Sequence, residues 1–199
     1  FSIDNSGDGA PRLIIDYEYN QEPESIIKIP DDFPTIQLGI DAASDGDTVM
    51  VSSGTYVENI NWPTTSGIRL IGVHMDSTII DGGGVDKVID NSDDTSHPKE
   101  ISNLTIQNGY TTGKGGGISL KMTGEILLKN IRVKNNQANF GGGIHIEGEG
   151  SLSFVQTVVH IENAIISNNN ATSSDGGIDL YGDFISSVIK NSTIVNNSS

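Results

Sequence analysis

The chain has 199 residues, enough for one ordinary domain with a buried core. Its 26 Asp and Glu outnumber 11 Lys and Arg, a formal charge of −15, so nucleic acid and anionic membranes are poor partners for its surface. With no Cys there is no disulfide, thiolate metal site or Cys nucleophile, and no apolar run approaches the roughly 18–20 residues of a membrane helix. Residues 1–25 fit no repeat and read as the tail of a preceding module or a linker. Within them, Asp4-x-Ser6-x-Asp8-Gly9 has the spacing of the first half of a calcium loop, although the twelfth position is Ile15 rather than Glu. Calcium is one reading of this segment and a plain Asp/Gly turn the other. In residues 26–47, Thr35 is an N-cap and Ile36, Ile40 and Ala43 share a helical face, so a short helix is expected there.

Residues 48–199 are dominated by a repeat. Asp76 to Asp81, Asn103 to Asn108, Asn130 to Asn135, Asn163 to Asn168 and Asn191 to Asn196 align without gaps at spacings of 27, 27, 33 and 28. Gly116-Gly117-Ile118, Gly142-Gly143-Ile144 and Gly176-Gly177-Ile178 keep the same beat, and a further apolar strand precedes each Asn. Three short strands per repeat of about 27 residues cannot close a sandwich. They can form one rung of a coil, each strand bonding to its equivalent about 4.8 Å away. The expected apolar columns are Ile79, Ile106, Val133, Ile166, Ile194, and Ile118, Ile144, Ile178 with Leu120, Ile146, Leu180 beside them.

The chain has 18 Asn, 13 of them at or after Asn103. Asn tolerates the left-handed backbone of a sharp corner, and its amide can bond to the Asn of the next rung. Asn103, Asn130, Asn163, Asn191 and Asn108, Asn135, Asn168, Asn196 are therefore expected as two structural columns, with Asp76 and Asp81 in the earliest rung.

These motifs resemble the right-handed parallel β-helix family, the pectin-lyase-like superfold, over roughly residues 26–199. Most specific are Ile29-Pro30-Asp31-Asp32-Phe33-Pro34-Thr35-Ile36, Asp45-Gly46-Asp47-Thr48-Val49 and Gly54-Thr55-Tyr56-Val57-Glu58-Asn59-Ile60. The resemblance implies an all-β, single-stranded coil of bacterial extracellular or cell-surface type, with a helical cap over residues 26–47. The final strand, in Ser192-Thr-Ile-Val-Asn-Asn-Ser-Ser199, has no following Gly-Gly-Ile, so the β-helix is expected to be truncated at its C-terminus.

Several constellations bear on chemistry. Ser119, His145 and Asp179 follow successive Gly-Gly-Ile motifs on the outward side; parallel and wet, they read as an ordinary polar face rather than a triad. Lys129, Glu162 and Lys190 read as cross-strand charge pairing. Among β-helix enzymes, a polysaccharide lyase needs a base and a cation beside a uronate; Lys134 and Arg132 are the candidates. A hydrolase needs neighbouring carboxyls; Asp93 and Asp94, near His97, are the candidates. Tyr110, Tyr181 and Lys121 are candidates for holding a sugar, and Trp62 for capping the first rung.

The preferred expectation is a non-catalytic module, a scaffold, adhesin or carbohydrate-binding element of a larger secreted or surface protein. The alternative is a lyase or glycoside hydrolase acting on an acidic polysaccharide. Expected partners are a polysaccharide or surface component, other modules of the chain, or end-to-end copies, without nucleic acid or membrane insertion.

Overall fold

A computed structural model describes residues 24–91, 97–149 and 156–199 in full, and the backbone of 2–4 and 12–14. The first two strands, β1 (Ser2–Asp4) and β2 (Arg12–Ile14), form an antiparallel pair with Asp4 opposite Arg12. Then come β3 (Ile26–Ile29), α1 (Ile36–Ala42), β4 (Thr48–Val51), β5 (Gly54–Val57), β6 (Ile60–Asn61), β7 (Arg69–Gly72), β8 (Thr78–Asp81) and β9 (Ile89–Asn91). The remainder is β10 (Glu100–Gln107), β11 (Ile118–Met122), β12 (Gly124–Lys134), β13 (Gln137–Phe140), β14 (Ile144–Gly148), β15 (Thr157–Glu162), β16 (Ile165–Ser167), β17 (Asn170–Ser174), β18 (Ile178–Tyr181), β19 (Ile185–Lys190) and β20 (Thr193–Val195).

From β3 onward every pairing is parallel. One sheet runs β19-β15-β12-β10-β7-β4-β3, with β5-β8 and β16-β20 joined to it. A second runs β18-β14-β11-β9-β6, and a small third pairs β13 with β17. Each strand thus bonds to its counterpart one turn away, which makes the molecule a parallel β-helix.

The core is a set of columns. Ile27, Val49, Leu70, Ile101, Leu128, Ile161 and Ile189 stand in register, separated by 22, 21, 31, 27, 33 and 28 residues; the column is buried from Val49 to Ile161, with Ile27 half-buried and Ile189 exposed. The repeat of about 27 therefore belongs to the later rungs, and the first two are shorter. A second column is Tyr56, Ile80, Ile106, Val133, Ile166, Ile194, buried from Ile80 to Ile166, with Tyr56 half-buried and Ile194 exposed. Ile80, not Ile79, opposes Ile106: Ile79 faces Thr105, one step out from the gap-free alignment. Because side chains alternate faces, that one-residue slip decides which isoleucine is buried; Ile80 is 0% exposed. Each buried Ile contributes about 1.5–3 kcal/mol.

Helix α1 begins as its sequence requires. Thr35 accepts from the Leu38 N–H at 3.3 Å, and the Glu58 carboxylate accepts from the N–H groups of Ile36 and Gln37 at 3.1 Å each. Its buried face, Ile36, Gly39 and Ile40, joins the core beside β3, β4 and β6. Trp62 is also in the core, its indole N–H donating to the Thr65 carbonyl.

The corners after residue 100 are made by Asn. Asn103, Asn108, Asn130, Asn135, Asn163, Asn168, Asn191 and Asn196 all have φ between 50° and 58°. Asn130 donates to the Asn103 side-chain carbonyl at 2.9 Å, and Asn163 to that of Asn130 at 3.0 Å. The second column differs from expectation. Its side-chain chain runs one residue later: Asn136 donates to Asn169, and Asn169 to Asn197, each at 3.0 Å. Asn136 and Asn169 are 1% exposed, whereas Asn135 and Asn168 face solvent. The left-handed residue turns the chain and the next amide fills the corner. The recurrent doublets Asn135-Asn136, Asn168-Asn169 and Asn196-Asn197 carried that signal.

Asp81 does not replace Asn108 in register; it stands opposite Gln107, with Gly82 beyond it. Its carboxylate nonetheless accepts from the side-chain amides of Gln107 at 2.7 Å and Asn108 at 2.8 Å. Burial works to raise the Asp81 carboxyl, but these bonds, the Gly83 N–H and nearby Lys134 together hold it below the ordinary carboxylate range. Asp76 stands outside the column and pairs instead with Arg132.

Candidate functional site

The outer face of the second sheet gathers most of the polar chemistry. Ser119, His145 and Asp179 are in register on β11, β14 and β18, and Lys121, Glu147 and Tyr181 two positions on. The first column is not wet. Ser119 is 0% exposed and His145 2%. Gly115 and Gly141, both at positive φ, bring the chain down over it: a Cβ on Gly115 would lie 2.7 Å from Ser119, and one on Gly141 3.0 Å from His145 and Asp179. Only a glycine backbone comes this close.

His145 Nδ1 bonds to the Asp179 carboxylate at 2.8 Å. His145 Nε2 and Ser119 Oγ are buried without a hydrogen-bond partner. The serine is therefore not bonded to the histidine, and the three residues do not form a nucleophile–base–carboxylate relay. Nε2 instead lies 3.8 Å from Glu147 Oε2.

Glu147 belongs to the second column, which borders a groove of about 710 Å³ lined by Glu147, Gly148, Glu149, Leu180, Tyr181, Gly182 and Asp183. Lys114, from the loop before β11, donates to Glu147 Oε2 at 2.7 Å, and its ammonium lies 5.1 Å from the centre of the Tyr181 ring. That bond, opposed by burial, holds the Glu147 carboxyl below its usual range. Lys121 pairs with Glu149 at 2.6 Å. Tyr181 is 61% exposed. The groove thus combines an open aromatic ring with three carboxylates, two of which already hold an ammonium.

Of the residues singled out from sequence, Tyr181 and Lys121 meet here. Tyr110 does not line the groove; it is bridged to Gln137 beside the small third sheet. Lys114, Glu149 and Asp183 were not anticipated, because loop residues of different rungs meet only after coiling. Arg132 is 2.7 Å from Asp76, an ion pair that holds the Asp76 carboxyl down. Lys134 flanks Asp81. Lys129, Glu162 and Lys190 are in register, but no salt bridge among the described residues joins them. Asp93, Asp94, Ser6 and Asp8 lie outside the described residues, and of Asp4 only the backbone is described. Among the described residues no three His, Asp or Glu are grouped to hold a metal, and no helix is long and apolar enough to cross a membrane.

No protein-family profile matches this chain, and no curated protein matches it in sequence. Solved structures that it resembles include a pectin methylesterase variant in complex with a hexasaccharide, at 15% identity and a TM-score of 0.43, covering 85% of this chain and 61% of the other. Another is the pectin methylesterase from Aspergillus niger, at 14% identity and a TM-score of 0.39, covering 90% and 87%. The chain spans less than two thirds of the first of these proteins.

Proposed function

We propose that this chain is a non-catalytic carbohydrate-binding module of a secreted or surface protein, holding a glycan in the groove beside Tyr181. The observation that carries the reading is the exposed Tyr181 ring at a groove of about 710 Å³, mounted on a strand whose inner neighbour Leu180 is anchored in a stacked column. An aromatic face is a platform for the apolar face of a sugar, and the flanking carboxylates accept hydroxyl hydrogens. A rigid strand keeps the ring in place at little entropic cost on binding.

Two features weigh against the lyase alternative. Arg132, the candidate partner for a uronate, has its guanidinium on Asp76. A net charge of −15 also repels an acidic polymer. A glycan array tests the reading: wild type is expected to bind at least one glycan class, with affinity falling about fivefold to thirtyfold in Tyr181→Ala. Release of unsaturated uronate from pectate or alginate, lost in Lys134→Ala, would reverse it.

A further inference from the structure

An ammonium site borders the groove: its occupant, Lys114, does not line the groove but touches two residues that do, Glu147 and Tyr181. The Lys114 ammonium is held by a carboxylate, Glu147 Oε2 at 2.7 Å, and lies over an aromatic ring, Tyr181 at 5.1 Å. Carboxylate plus ring face is the combination that recognises organic cations, because the ring's negative face and the carboxylate charge attract the same group. A second ammonium, that of Lys121, is bound to Glu149 on the same wall.

Two further observations point to cationic occupancy. Asp183 is a third carboxylate on the groove, and none of the ion pairs among the described residues reaches it. The carboxylates of the groove outnumber its ammonium groups three to two, within a chain of charge −15.

We infer that the groove binds a glycan carrying protonated amino groups, a polymer of amino sugar with free amines, through Asp183 and the Tyr181 ring. This rests on the sugar-binding reading above and specifies its ligand. The sugar ring lies against Tyr181, its ammonium bonds to Asp183, and Lys114 is the internal stand-in that marks how such a cation is held.

The test is calorimetric titration of the whole chain with a fully deacetylated glucosamine hexamer, its N-acetylated counterpart and a galacturonate hexamer. Wild type is expected to bind the deacetylated hexamer, to bind the acetylated one about tenfold more weakly or worse, and to ignore the uronate. Asp183→Asn and Tyr181→Ala, both at exposed positions and checked for native circular dichroism, are each expected to lose about threefold to thirtyfold. Lys114→Met removes the internal competitor and is expected to tighten binding. Equal affinity for the acetylated hexamer overturns the amine specificity while leaving sugar binding intact. Binding that Asp183→Asn and Tyr181→Ala leave unchanged is attraction to net charge and overturns the site. Weaker binding in Lys114→Met overturns its role as stand-in. If no hexamer binds, this inference fails, while the sugar-binding reading falls only if the glycan array is empty as well.

Discussion

The rungs before residue 92 and those after residue 97 solve the same geometric problem with different residues. In the early rungs, columns repeat after 22 and 21 residues, and the left-handed positions among the described residues are all glycine: Gly46, Gly67, Gly83 and Gly84. Polar groups there are satisfied singly, by the Asn59 amide on the Gly82, Asp86 and Lys87 carbonyls and by a carboxylate. Asp47 accepts from the N–H groups of Ser25 and Ser44, at 2.8 and 2.9 Å. In the later rungs the spacing is 27 to 33, and eight Asn residues take left-handed positions, alongside Asp175 and Gly115, Gly124, Gly141 and Gly182. Their neighbours Asn136, Asn169 and Asn197 form a neutral chain of amides. Glycine turns the backbone and leaves the corner empty, so another residue must fill it. Asn turns the backbone, and a following Asn fills the corner and bonds across rungs, which allows stacking without charge.

The largest expected effect breaks that amide chain. Asn169 serves the Asn136 N–H, the Asn136 and Asn197 side chains and the Val133 carbonyl. Asn169→Ala leaves several buried groups unpaired and is expected to lower stability by about 3 kcal/mol or more in urea denaturation. A loss below about 1 kcal/mol would show that the chain of amides is ornamental and the two regions equivalent.

Next is the backbone component. Asn163→Ala, at φ 53° and exposed, is expected to cost about 1–2 kcal/mol, and Asn163→Gly to recover the backbone share but not the bond to Asn130. Gly46→Ala, at φ 89°, is expected to cost a similar amount in the early rungs. Unequal costs would mean that the regions differ in backbone strain as well as in how corners are filled.

Acid sharpens the contrast in a different way. Burial works to raise the Asp47 carboxyl, but bonds from Ser44 and Ser25 outweigh it, so its folded value lies below the ordinary one, as does that of Asp81. A depressed carboxyl contributes stability that is fully present above the unfolded value near 4 and is lost as pH falls through the folded value. Hydrogen exchange is therefore expected to show the early rungs opening first below about pH 4, with the amide-cornered rungs protected longest. Asp81→Asn is expected to flatten the acid dependence. Glu147, held down by Lys114, is the comparable group of the later rungs, so Lys114→Met is expected to reduce acid sensitivity locally at the groove. Simultaneous opening of all rungs would remove the distinction.

The smallest effect is expected on the outer face. Lys129→Gln, opposite Glu162, is expected to change stability by about 0.5 kcal/mol or less, since no salt bridge joins the pair. A larger loss would mean that outward charges hold the later rungs together.

Much of the coil was legible because it is one-dimensional. The repeated Asn and Gly-Gly-Ile spacings mark the rungs of the later region, and the alternation within each strand marks its inner face. The early region was misread by one position at Ile79 because the gap-free alignment assumed a constant rung, and a single inserted or missing residue flips the face. The small sheet of β13 and β17 lies between the Asn corners and the Gly-Gly-Ile motifs, in stretches that the three-strand repeat assigns to no strand, because neither shows the alternation of a buried face. Ser119, His145 and Asp179 were aligned correctly but expected in water; the glycine-permitted descent of the loops over them is invisible in strand periodicity.

By itself the sequence determined that the chain winds in stacked parallel turns, where the later corners fall and which apolar residues line them. These depend on local backbone preference and on a repeat, both written along the chain. Only the tertiary structure decided that Asn136 and Asn169, rather than Asn135 and Asn168, fill the buried corner, and that Glu147, Tyr181 and Asp183 share one groove with Lys114 bound to Glu147 beside it. Those facts depend on where a loop from one turn settles against the strand of the next, and distance across rungs is set by coiling.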